Sequence, residues 1–302
     1  MSLLPEAIQV LQRGWLSSNN IMLLGRHDTA IIDTGYVSHA PQTLALVRQV
    51  LHGRHLDQIL NTHLHSDHCG GNAMLQAHFG CRTAIPVAEA DKVRHWDEDA
   101  LSFKATGQRC DRFTFDATVS PGDVLRLADM AWQALAAPGH DPHALIFYCP
   151  EAKVLISADA LWENGFGVIF PELDGQSGFA EARATLDLIA GLDVAVVIPG
   201  HGAPFTDVAG ALARARSRLD YLAADPLRNA QNALKVLLKF LLLERQRIAL
   251  ADVPVLLTAM PVFAAANNHY LKQPPDALGR WAVQQLVRAA AARVEGEYLL
   301  NV

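Results

Sequence analysis

The stretch Asn61-Thr62-His63-Leu64-His65-Ser66-Asp67-His68-Cys69-Gly70-Gly71 decides how this chain is read. Three imidazoles and one carboxylate fall within it, after the apolar pair Ile59-Leu60 and before a helix-like segment from Asn72 to His78. Nitrogen and carboxylate donors at this density suit zinc and other borderline first-row metals. His63 and His65 lie two apart, so extended backbone points both side chains the same way. Asp67 and His68 are adjacent and diverge, which suits a second centre beside the first. A solvated, histidine-rich turn is the alternative that this stretch alone leaves open.

Upstream, Ile8-Val10, Asn20-Leu24 and Thr29-Asp33 read as a β-meander, with Gly25-Arg26-His27-Asp28 as a turn. Asp33 closes an apolar strand, where its carboxylate either orients a metal-binding histidine or caps the turn. Pro41 to Leu51 has the apolar spacing of an amphipathic helix. Downstream, Thr83-Val87 reads as a buried strand, and the alternation of strand and helix implies helices covering a sheet.

Residues 88–118 break that rhythm and form an insertion of the length that is usually functional or mobile. We read it as a lid or substrate wall bearing Trp96, Phe103 and Phe113; a surface helical excursion is the plainer alternative. Strands resume at Val124-Leu127, Ala131-Leu135, Leu145-Tyr148 and Val154-Ser157, then Val194-Ile198 after a helix from Phe179 to Ala190.

Three of these strands run into Pro138-Gly139-His140, Ser157-Ala158-Asp159 and Pro199-Gly200-His201-Gly202. Each residue alone has an ordinary explanation, a core histidine or a helix cap. Together with His63–His68 they put candidate ligands on four loops at strand ends, which is how rigid scaffolds build sites.

With these motifs in their order, the chain resembles the metallo-β-lactamase-fold hydrolase superfamily over about residues 8–205. The HxHxDH signature stands as His63, His65, Asp67 and His68, and Asp33-Thr34-Gly35 matches the early strand-end Asp. The resemblance implies an α/β fold, a four-layer αββα sandwich with the site on one edge of its two sheets. It implies one divalent metal on His63, His65 and His140, a second on Asp67, His68 and His201, and Asp159 bridging them. The set resembles the glyoxalase II-type dinuclear pattern, with zinc, or else iron or manganese, as the ion. The reaction so implied is attack of a metal-bridging hydroxide on a carbonyl, with Asp67 both ligand and catalytic residue. A Cys is common in true β-lactamases where Asp159 stands here, which argues against β-lactam hydrolysis. His140 is followed by Asp141-Pro142-His143 instead of the family's usual Thr or Ser and Pro-Gly, so His143 is an extra imidazole near the site. His143 and Trp162, in the Leu161–Gly167 loop, are candidates for touching substrate. No arrangement of Arg, Lys and Tyr marks glutathione recognition.

From residue 206 the pattern turns helical, with helices expected at Val208–Ala223, Leu227–Ile248, Val253–Ala266 and Asp276–Arg293, then a hairpin turning at Glu295-Gly296. We therefore divide the chain into a catalytic domain, 1–205, and a helical, winged-helix-like domain, 206–302. His269 at a helix end is a candidate to reach substrate, or part of a capping cluster.

The totals agree with an ordinary globular protein: 302 residues, 51% hydrophobic and 19% charged, enough for a sizeable core. Residues 1–202 carry a net charge of −10 and residues 203–302 carry +4. A polyanion is repelled by the first part, and the last helix offers few cations, so a nucleic-acid partner is disfavoured. Four scattered cysteines read as free thiols of a reducing cytoplasm, Cys69 as packing. Met1 to Glu6 begins no signal peptide, and no stretch suits a bilayer. Apolar faces on the tail helices admit a homodimer.

The expectation is a cytoplasmic, dinuclear metal hydrolase of esters or thioesters of small acids, acting on a small-molecule substrate. A lactonase would use the same centre. A metal-dependent ribonuclease or phosphodiesterase, its tail aiding substrate binding, is the reading from another class. A metal-binding protein with an idle site is the non-catalytic one.

Overall fold

The computed structural model describes residues 3–302; Met1 and Ser2, where the reading of the N-terminus starts, lie outside the described residues. Six strands form the first sheet in chain order: β1 (Ile8–Leu11), β2 (Asn20–Leu24), β3 (Thr29–Ile32), β4 (Gln58–Leu60), β5 (Arg82–Pro86) and β6 (Ala117–Val119). β1 to β3 pair antiparallel and β3 to β6 parallel. The second sheet runs in the order β11-β10-β9-β8-β7, from β7 (Val124–Leu127), β8 (Met130–Ala136), β9 (Leu145–Cys149), β10 (Val154–Ala158) and β11 (Val196–Pro199).

Side chains alternate across each strand, and that alternation builds the layers. Ile21, Leu23, Ala30 and Ile32 face the second sheet, meeting Trp132, Phe147, Ile156 and Ile198 in a dry core. Met22, Ile31 and Ile59 face the other way, onto α1 (Ala40–Leu51) and α3 (Asn72–Phe79). On the far side, Ile146, Tyr148, Leu155 and Val197 take α5 (Phe179–Ala190) and α6 (Val208–Ala223). The result is helix, sheet, sheet, helix, the sandwich expected from the sequence.

A separate apolar core belongs to the tail: α7 (Pro226–Arg245), α8 (Val253–Thr258), α9 (Pro261–Ala266), α10 (Pro275–Arg288) and a small sheet. That sheet, ordered β12-β14-β13, joins β12 (Arg247–Ala249), β13 (Ala292–Glu295) and β14 (Tyr298–Asn301). By packing, α6 serves the sandwich, and the tail's own core begins at α7, whose N-terminus Asp225 caps by accepting from Leu227 N. Three tail boundaries differ from the expectation. The third helix is broken at Pro261, which has no N–H to continue the ladder. The second ends at Arg245 and the last at Arg288, because the residues that follow enter strands. The hairpin turns at Gly296-Glu297, one residue later than expected.

The aromatics of the insertion turn inward. Phe103 and Phe113 are buried, and Trp96 packs against both, at 5.9 and 5.5 Å between ring centroids. With Leu64, Cys69 and Ile85 these aromatics form a local core, while Thr106 and Gln108 of the same insertion line a cavity beside His65 and His140. The insertion holds the short helix α4 (Ala90–His95) and then docks on the tail: Val262 N donates to Ala105 O, and Arg109 pairs with Glu244. No helix among the described residues is long and apolar enough to cross a membrane.

Candidate metal centre

The side chains named from the motifs all sit at the C-terminal ends of strands. Asp33 follows β3 directly and adopts φ of 59°, in the left-handed region that Asp tolerates better than most residues. That turn sends its carboxylate across the end of β4, where Thr62 donates to it from its backbone N (2.9 Å) and its hydroxyl (2.7 Å). Beyond β4 the chain passes through His63 and an extended His65, then coils into α2 (Ser66–Cys69), which carries Asp67 and His68. His140 follows β8, Asp159 follows β10 and His201 follows β11.

These loops bring the ligands into two sets. His63 Nε2 lies 3.1 Å from His65 Nδ1, which lies 2.8 Å from His140 Nε2. His201 Nε2 lies 3.1 Å from Asp67 Oδ2, with His68 Nε2 3.9 Å from the same oxygen. Asp159 stands between: Oδ1 is 3.5 Å from His68 Nε2 and 3.9 Å from His201 Nε2, while Oδ2 is 3.4 Å from His140 Nε2.

The donors fit metal ions on grounds internal to the structure. His68 Nε2 is buried and has no hydrogen-bond partner, a rarity for a buried polar atom. The opposite ring nitrogens are engaged: His68 Nδ1 donates to Asp33 Oδ2 (2.7 Å) and His140 Nδ1 to the Val168 carbonyl. His63 Nδ1 lies 3.1 Å from Thr62 Oγ1, whose own proton goes to Asp33. This network engages the outer nitrogen of each of these three rings and turns the other nitrogen inward, toward the cluster. Asp33 thus orients one imidazole of each set, His68 directly and His63 through Thr62.

The electrostatics follow from burial. His63 is held well below the ordinary imidazole range by desolvation and then by its imidazole neighbours, and His140 is pushed down to about 4 by burial and then by His65. Burial opposes charge on His68 too, but Asp33, Asp159 and Asp67 outweigh it and raise it well above that range. Burial likewise opposes ionisation of Asp159, and His68 and His201 overcome it, holding the carboxyl well below its usual range.

A cavity of about 120 Å³ opens on the cluster, lined by His65, Asp67, His140, Asp159 and His201 together with aromatic side chains of the loops and tail. Trp162 lies here and donates from Nε1 to Asp159 Oδ1 at 3.1 Å. His143 does not join the ligands: its Nε2 faces Glu89 at 3.9 Å, and it is Asp141 that approaches His65 Nε2, at 3.7 Å. His269 is exposed on the tail beside Tyr270. Sequence reasoning passed over Trp15, a residue 56% exposed whose ring stacks on His201 at 5.3 Å and meets Trp162 edge-on at 5.4 Å. It also passed over Asn19, which donates to the carbonyls of Pro199 and Gly202 and so pins the His201 loop. The signal for Asn19 was the polar run Ser17–Asn20 directly ahead of a buried strand; Trp15 gave none.

The family model described as Metallo-beta-lactamase superfamily matches residues 13–201, a span that includes every candidate ligand above. The chain belongs to the metallo-beta-lactamase superfamily. Among superfamily relatives, the hydroxyacylglutathione hydrolase of Rhodobacter capsulatus is 32% identical over 145 residues, covering 48% of this chain and 49% of that protein. The match thus spans about half the length of this curated relative. The metallo-beta-lactamase family protein TTHA1429 from Thermus thermophilus superposes over 100% of both chains, with a TM-score of 0.58 and 22% identity, a likeness of fold. TTHA1623, solved in a di-iron-bound form, superposes on 67% of this chain and 96% of its own, with a TM-score of 0.54 and 25% identity.

Proposed function

We propose that this superfamily member is a dinuclear metal-dependent hydrolase of esters or thioesters of small acids. The observation that supports the reading is the pair of donor sets beside a cavity, with Asp159 grouped with one imidazole of each, His63 and His68. Relatives named hydroxyacylglutathione hydrolase support an acyl substrate, and the di-iron form of TTHA1623 supports a two-ion site. His63, His65 and His140 would hold one divalent ion and Asp67, His68 and His201 the other, with Asp159 between them. Zinc, iron or manganese bound there would acidify a water and polarise the substrate carbonyl.

The chain's own residues have separable parts in this. Asp33 and Thr62 fix ring orientation, and the Val168 carbonyl does the same for His140. Trp162 holds one oxygen of Asp159 in place. Asp67, which lines the cavity with Asp159, is assigned to accept a hydrogen bond from an attacking water. Trp15 and Trp162 flank His201 and give one side of the cluster an aromatic wall. A thiolate leaving group departs without a proton donor, which suits a site where we assign no general acid.

The test is a panel of acyl thioesters, aryl esters, lactones, phosphodiesters and RNA, run on metal-loaded protein and on Asp67→Ala. The reading expects thioester or ester turnover that Asp67→Ala lowers by at least about a hundredfold. Turnover confined to phosphodiesters or RNA would refute it.

A further inference from the structure

The metal-facing cavity does not end at the ligands. Trp15, Trp162, Asn232, Val236 and Phe240 line it and also line a wider groove of about 650 Å³ across α7 and α10. The two spaces therefore adjoin across these side chains, and the groove gives a largely apolar surface beside the cluster.

Four cations border these spaces, none in an ion pair among the described residues: Arg218, Lys235 and Lys239, which are part-buried, and Arg288, which is exposed. Arg218, from α6, lines the inner cavity with its guanidinium over the Phe166 ring at 5.6 Å. Its one side-chain hydrogen bond, to Asn232 Oδ1, is long at 3.5 Å, and its buried Nε has no partner. Lys235, from α7, is half-buried in the outer groove, close enough to Arg218 that their charges oppose each other. The other lysine of the groove is engaged: Lys239 donates to the carbonyls of Ala291 and Val302 and to Asn301. Among the described residues neither Arg218 nor Lys235 forms an ion pair, although exposed arginines of the same helix, Arg214 and Arg216, pair with Asp207 and Asp187. Two neighbouring like charges, part-desolvated and unpaired, are unfavourable in the free protein, and a bound anion offsets that penalty.

We propose that Arg218 and Lys235 form an anion-recognition pair, so that the substrate is an ester or thioester with an anionic group on an apolar body lying along the Trp15–Trp162–Phe240 wall. This assignment of substrate class rests on the hydrolase reading above; the anion site itself is testable without turnover. The anion is a carboxylate or phosphate, on either the acyl or the thiol side.

Binding of a phenylalkylsulfonate, an anion that is a poor metal ligand, is measured by calorimetry on metal-loaded protein, with the matching phenylalkanol as the uncharged control. The expectation is that the sulfonate binds at least about tenfold more tightly than the alcohol. That preference is lost in Lys235→Gln and in Arg218→Gln and kept in Lys235→Arg. Equal affinity for the two probes, or a preference unchanged in both Gln variants, overturns the proposal. In turnover, an anionic acyl on a neutral thiol and a neutral acyl on an anionic thiol are each compared with an uncharged thioester. A preference for either charged form supports the pair and tells the two sources apart; no preference for either contradicts it. Failure of all ester and thioester turnover despite selective sulfonate binding would sink the hydrolase reading and leave the anion site standing.

Discussion

Asp33 is the residue on which both halves of the cluster depend. It accepts from Thr62 twice and from His68 once, in a pocket closed to water. Asp33→Asn keeps the left-handed turn but loses the charge that aligns His68. It is expected to weaken metal affinity by about 10- to 100-fold, read by competition with a chelator, while the far-ultraviolet circular dichroism stays unchanged. Retained affinity would mean that the imidazoles orient themselves. A second residue, Glu89, carries a pH effect. It is 3% exposed and accepts from Lys92 at 2.8 Å, yet burial, and then the charge of Asp141, raise its carboxyl above the ordinary range. A carboxyl raised on folding destabilises the fold wherever the unfolded chain is ionised, so its cost grows as pH rises through that window. Glu89→Gln is therefore expected to raise Tm at pH about 7 and to make no difference below about pH 4, where the unfolded side chain is itself mostly protonated. Equal Tm at both pH values would remove Glu89 from the account.

At the scale of elements, the loops can present ligands because glycines leave room beside them. A Cβ on Gly167 would lie 2.4 Å from His140 Nδ1, and one on Gly200 2.2 Å from Asp159 Oδ1. Gly167→Ala is expected to displace the His140 ring and cut bound metal and any hydrolysis by at least about tenfold, with a melting transition still cooperative. Metal content measured beside a thermal melt checks it, and undiminished metal would contradict it. The strand ends that carry these loops were legible because Ile59-Leu60, Val154–Ser157 and Val194–Ile198 are short apolar runs closed by Asn61, Ala158-Asp159 and Pro199-Gly200. β6 was not, since its three residues, Ala117–Val119, lie at the end of a charged insertion and have too little apolar pattern to stand out. β12 was hidden for another reason: Arg247–Ala249 continues the apolar spacing of α7, and only pairing with β14 makes it a strand. The aromatics of the insertion were misread because size and apolarity suit a core as well as a substrate wall, and burial is a property of the folded chain.

In the whole molecule, the tail closes one side of the site. Tyr36 and Phe240 meet edge to face at 5.1 Å, Asn229 donates to Ile169 O, and Tyr270 donates to Glu172 O. Phe240 is 9% exposed and touches both the sandwich and the cavity, so Phe240→Ala is expected to destabilise the protein by about 3–5 kcal/mol in urea unfolding. A loss below about 1 kcal/mol would show that the tail docks by other contacts. The helices of this tail were legible from spacing, but its docking was not, because Trp15, Arg218 and Phe240 are more than 200 residues apart at the extremes and meet only through packing. The candidate donors stood out in the sequence for the opposite reason: their chemistry leaves few other uses for His63, His65, Asp67 and His68 in one loop. The central claim is that two ions act together on one acyl substrate. It is tested most directly by adding zinc stepwise to metal-free protein while following thioester hydrolysis. The account predicts activity that climbs to a plateau at about two zinc ions per chain. Full activity at one ion, or none at any loading, would contradict it.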